Sequence, residues 1–155
     1  MQVAKLNGFN SIPSATGGIA RLACARLNEL GMDPGVILSK VGLTSEAARD
    51  PVIRLEARTQ IKFLELAAEK VPDEWLGFHL ARSFDLREIG LVYYVMASSD
   101  QLADALRNAE RYSKINNEGV RLRFRMQDGT AVIALDYVNV DRHADSGRWS
   151  SSSCR

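Results

Sequence analysis

Across residues 120–137 the side chains alternate between apolar and polar on either side of a single Asp128-Gly129 pair. Val120, Leu122, Phe124 and Met126 share one face, and Arg121, Arg123 and Arg125 share the other. A period of two belongs to a strand, and Asp-Gly suits the two-residue turn whose twist matches a hairpin. Turn and pattern together leave one register: Phe124 opposite Ile133, Leu122 opposite Leu135, Val120 opposite Tyr137 and Arg121 opposite Asp136. A slip of one residue would turn the whole apolar set towards water. An isolated hairpin is marginal, so its apolar face has to pack on what precedes it, as part of a small sheet.

What precedes it reads as helix. Ile19, Leu22, Ala23, Arg26, Leu27 and Leu30 recur at three and four, and Gly31 supplies a stop. Asp33 and Pro34 open a short second helix that Gly42 ends. Residues 44–57 read as a connector, because Pro51 biases Asp50 away from helix. In residues 57–71 the stripe Ala57, Ile61, Leu64, Ala68 and Val71 is widened by Phe63 and Leu66, which predicts contact on more than one side. Pro72 stops that helix, and Asp73 and Glu74 favour the start of another short one. Residues 86–99 are almost all apolar after Glu88 and predict a buried helix, with a strand as the less favoured reading. Ser98, Ser99 and Asp100 are placed to cap a last helix whose core stripe is Leu102, Ala105, Leu106, Ala109 and Tyr112. The order is about six helices followed by an antiparallel hairpin, an α+β fold. Residues 1–16 read as a flexible lead-in and residues 17–143 as one domain.

The chemistry in the sequence is sparse. His79 and His143 stand in no metal-ligand spacing, and Cys24 and Cys154 suggest neither a disulfide framework nor a metal site. There is no phosphate loop or nucleophile elbow, and no pair of carboxylates placed to be buried together. The expectation is no catalytic residue, no metal and no cofactor. Twenty basic residues against nineteen acidic leave a net charge of +1, too little to hold nucleic acid or an anionic membrane by charge alone. The Arg121, Arg123 and Arg125 row is the wet face that alternation produces. No apolar run reaches the roughly 20 residues that span a bilayer, and the reading is a cytoplasmic protein. Trp75, His79 and Arg82 stand at helical spacing and are candidates to line a ligand pocket. Tyr93 and Tyr94 are further candidates, although adjacent helical residues point about 100° apart and cannot fill one slot.

From Asp50 to Leu122 the chain resembles the N-terminal effector-binding region of AraC-type transcriptional regulators, the branch named for an arabinose-binding domain. The resemblance rests on Asp50-Pro51 ahead of Ile53-Arg54, then Leu64 to Ala68, Leu76-Gly77 and Ile89-Gly90-Leu91. Ala97-Ser98-Ser99 followed by Leu102, Ala105-Leu106 and Arg111-Tyr112 carries it furthest. It implies a bacterial regulator in which an unknown small-molecule effector binds this region and shifts how a dimer presents helix-turn-helix motifs to DNA.

In that family the segment after the Arg142-His143 pair continues into an apolar-periodic helix, whereas this chain gives "SGRWSSSSCR". Four serines, a lone Trp149 and a terminal Cys154-Arg155 have no periodic face and no cap. The expectation is an unstructured tail over 144–155 left by a frameshift or early stop, on a sensing domain that lacks its DNA-binding half. Such a chain would bind effector, form a homodimer or pair with a full-length homologue, and bind no specific DNA alone. The alternative is a free-standing small-molecule-binding or protein-interaction module.

Overall fold

A computed structural model describes residues 12–139. Residues 1–11 of the lead-in and the whole of the 144–155 tail lie outside the described residues. The described chain is α+β, with seven α-helices and two two-stranded antiparallel sheets.

The chain enters as a short strand, β1 (Ser14–Thr16), and turns into α1 (Gly18–Glu29). Gly31 stops α1 with a φ of +72°, a conformation that costs a side-chain-bearing residue far more than glycine. Asp33 then caps α2 (Pro34–Lys40), its carboxylate accepting from Gly35 N–H at 2.8 Å. The predicted connector holds two elements. Thr44 caps a single-turn helix, α3 (Ser45–Arg49), by accepting from Ala47 N–H at 3.1 Å. Pro51 ends only that turn, and β2 (Arg54–Glu56) follows and pairs with β1, Ala15 standing opposite Leu55.

The core lies where α4 (Ala57–Lys70) packs on α1 and α2. Phe63, Leu27 and Leu38 are its largest fully buried side chains. The buried face of α4 is Ala57, Gln60, Phe63 and Ala67, so the predicted stripe holds at Ala57 and at Val71 just past the helix but is displaced between them, and Ala68 is exposed. Phe63 decides this, because a ring buries more area than the methyl of Ala68. Ile61 and Leu64, on the neighbouring strip, are only partly buried.

Helix α5 (Leu76–Ser83) closes the core with Leu76 and Leu80. A 3-10 turn at Leu86–Ile89 leads into α6 (Leu91–Ala97), which is a helix but not a buried one. Leu91 is 63% exposed and Tyr94 62%, and only Val92 is buried, because α6 packs mainly on α7 (Leu102–Tyr112) and the preceding turn. Helix α7 begins at Gln101 without a side-chain cap; the Ser98 and Ser99 hydroxyls donate back to Val95 C=O and finish α6 instead. Ala105 and Ala109 face the interior, whereas Leu102 is exposed.

The hairpin, β3 (Val120–Gln127) and β4 (Thr130–Tyr137), has the predicted register throughout. Asp128 and Gly129 both take positive φ, as the tight mirror-image turn requires. Asp136 forms its ion pair with Arg123, diagonally, rather than with Arg121 opposite. Packing on the helices holds for β3, where Phe124 is buried against the side that meets α7, but not for β4, where Ile133 and Leu135 stay exposed.

Candidate functional site

Two parts of the chain far apart in sequence are stitched together by β1. One edge of β1 pairs with β2; the other meets residues 116–118, where Thr16 N–H donates to Asn116 C=O and Glu118 N–H donates to Ser14 C=O, both at 2.9 Å. The Glu118 carboxylate in turn accepts from Ser14 N–H and Oγ–H, each at 2.9 Å. Across the same seam the Arg54 guanidinium donates to Ser14 Oγ at 2.9 Å, Ser14 C=O at 3.0 Å and Ile115 C=O at 2.6 Å. Only the planar fork of arginine reaches three acceptors set out in this way.

The Ser14 amide, then its hydroxyl, hold the Glu118 carboxyl below the usual carboxylate range, with Arg54 and Lys114 adding to this. A folded-state value below the unfolded one, which is near 4, contributes stability that is present above that pH and is lost as pH falls through the folded value. The melting temperature is therefore expected to drop on acidification below about pH 4, and more steeply than for Glu118→Gln, which cannot titrate there. Parallel melting profiles for the two proteins between pH 3 and 7 would show that the seam does not depend on this charge.

Above the seam, a cleft of about 410 Å³ opens between the helical body and the hairpin. Ala15 and Thr16 of β1, Ile19 of α1 and Ala57, Gln60, Ile61 and Leu64 of α4 form one side. Phe84, Leu86, Asn116, Asn117, Val120 and Tyr137 form much of the other. None of its lining residues is acidic, basic or histidine. Gln60 is only 4% exposed, and its Nε2 donates to Ala15 C=O at 3.1 Å and Leu55 C=O at 3.5 Å.

A second cleft, of about 480 Å³, lies between α1 and α5 and is charged. Here the structure brings together His79 and Arg82 with Arg26 and Glu29. Arg26 pairs with Glu29 at 3.0 Å, and His79 Nδ1 meets the Asp73 carboxylate at 2.7 Å. That hydrogen bond first, and the Trp75 N–H second, keep the Asp73 carboxyl below its usual range. Trp75 itself stands at the start of α5, 68% exposed, and lines neither cleft. Tyr93 and Tyr94 pack edge to face with ring centroids 5.3 Å apart on α6, and they too lie outside both clefts.

Among the described residues no three metal-ligating side chains converge. Burial pushes the Cys24 thiol up, with Arg49 only partly offsetting it, so the thiolate that a nucleophile needs is disfavoured. No described helix is long and apolar enough to cross a membrane.

A small α+β domain with a ligand-sized cleft at the junction of its halves is the class that fold and site define. Residues 31–148, about three quarters of the chain, match the family described as the arabinose-binding domain of AraC transcription regulator, N-terminal. The chain belongs to that family, which is a regulatory ligand-binding domain of transcription regulators and not a family of enzymes. No match was found among the curated proteins.

Proposed function

We propose that this domain is the effector-sensing part of a transcription regulator and that the effector sits in the uncharged cleft between the helical body and the hairpin. One observation supports this reading above the others: the cleft takes its walls from β1, α4, residues 116–117 and both strands of the hairpin. A molecule bound there touches both halves, so it favours the arrangement in which they are closed on it. The charged cleft that holds His79 and Arg82 draws only on α1 and α5, neighbours within the helical body. Its occupant would have less leverage on the rest of the fold.

The reading is tested by filling the cleft. Ile61 is partly buried on its wall, packed against Ala15 and Ala57, and Ile61→Phe adds a ring there while removing none of the seam's hydrogen-bonding groups. Purified wild type and variant are incubated with a small-molecule extract of cells, separated from free compounds, and denatured for mass spectrometry. Wild type is expected to release a compound that the variant does not retain. Identical released sets from two folded proteins would move the effector site elsewhere.

A further inference from the structure

Beside the hydroxyls of Thr16 and Tyr137, the polar side chains of the cleft are three amides, and the fold has already committed half of each. Gln60 turns its amide nitrogen towards two backbone carbonyls, Ala15 and Leu55, and these acceptors fix which way the amide faces. Its Oε1 has no hydrogen-bond partner among the described residues, although the side chain is almost wholly buried and lines the cleft. The buried-atom penalty does not fall on this oxygen, which opens into the cleft and is left to water there, and a donor brought by a ligand takes the place of that water. Asn116 spends its Nδ2 on Ile89 C=O at 3.0 Å, and Asn117 spends its Oδ1 on Gly119 N–H at 2.9 Å. Around these amides the walls are Ile19, Ile61, Leu64, Phe84 and Leu86, with no charged side chain among the lining residues.

That combination rejects two common ligand classes. A carboxylate or phosphate would enter an apolar cleft without a counter-charge. A sugar presents hydroxyls on every side, and most of them would lose water against aliphatic walls without gaining a partner. We infer that the cleft selects an uncharged, mainly apolar molecule that carries a hydrogen-bond donor at one end, and that this donor bonds Gln60 Oε1. The inference rests on the sensor reading above and narrows it to a ligand chemistry.

Four probes test it by calorimetry: 1-decanol, methyl nonyl ether with the same number of heavy atoms but no donor, decanoate, and L-arabinose. Wild type is expected to bind 1-decanol and to bind each of the other three at least about tenfold more weakly, the ether because it displaces water from Gln60 Oε1 without supplying a donor. Gln60→Met, which keeps the shape and removes the acceptor, closes the gap between alcohol and ether. Ile61→Phe removes binding of all of them. If Gln60→Met does not fold, the four probes on wild type still decide the matter. Equal binding of alcohol and ether by wild type overturns the role of Gln60. Tighter binding of decanoate or L-arabinose than of 1-decanol, lost in Ile61→Phe, overturns the ligand class and leaves the cleft as the sensing site. No probe whose binding depends on Ile61 overturns the cleft as well.

Discussion

Phe63→Ala is expected to lower the unfolding free energy by about 3–5 kcal/mol, the range for removing a buried ring from a core that only partly collapses. Phe63 is 0% exposed and sits with Leu27, Leu38 and Ala67 where α4 meets α1 and α2. Its buried neighbours Leu27, Leu38 and Ala67 sit in packed helices and collapse only partly, so both the lost transfer energy and the cavity count against the variant. Domains of this size are stable by about 5–15 kcal/mol, so the loss ranges from about a fifth of the total to nearly all of it. The melting temperature should fall by about 6–20 °C, since 1 kcal/mol corresponds to about 2–4 °C at this chain length. Phe78→Ala is the control. Phe78 is 55% exposed, and its removal should cost under about 1 kcal/mol. Equal urea midpoints for the two variants, measured by circular dichroism, would place the core elsewhere.

The second large effect is at the seam. Arg54→Met keeps the length of the side chain and removes three donated hydrogen bonds, to Ser14 Oγ, Ser14 C=O and Ile115 C=O. The expected loss is about 2–3 kcal/mol, below the nominal worth of three charge-assisted bonds because the group is part-exposed and solvent replaces some of them. Arg54→Lys should recover little of it, since an ammonium cannot present a planar fork to acceptors on two sides. Arg121→Ala, on the exposed face of the hairpin, should cost under about 0.5 kcal/mol. The Arg54→Met variant should also bind 1-decanol more weakly than wild type, because β1 and residues 116–117 both line the cleft. A Lys variant as stable as wild type would show that charge rather than geometry holds the seam.

The hairpin was legible because everything that fixes it lies within eighteen consecutive residues: an alternation, and one dipeptide able to take positive φ twice. The first two helices were legible for a like reason, with Gly31 and Gly42 as stops and Asp33-Pro34 as a start. The register of α4 was not, because Ala67 and Ala68 are identical in chemistry and only the tertiary position of Phe63 tells them apart. Nor was β1. A Ser-Ala-Thr triplet has no periodicity, and its partners lie about 40 and 100 residues further on. The grouping of His79 with Arg82 followed from helical spacing, but the arrival of Arg26 and Glu29 beside them did not. One signal for Gln60 was present: it interrupts the apolar face of α4 midway between Ala57 and Phe63, where a polar residue on a buried stripe asks for an explanation.

The placement of β1 also sets an order of events. Ser14 and Thr16 leave the ribosome early, but their partners Glu118 and Asn116 emerge only after some hundred further residues have been made. Until then the helical body can gather around Phe63 while one side of β1 stays open, the Ser14 amide hydrogen-bonded to water alone. Contacts of such long sequence separation are entropically slow to form, so the join at Ser14 is among the last to close on folding. The two walls of the cleft thus come together in the final step, and a molecule caught between them would act on the newborn chain as well as on the mature one.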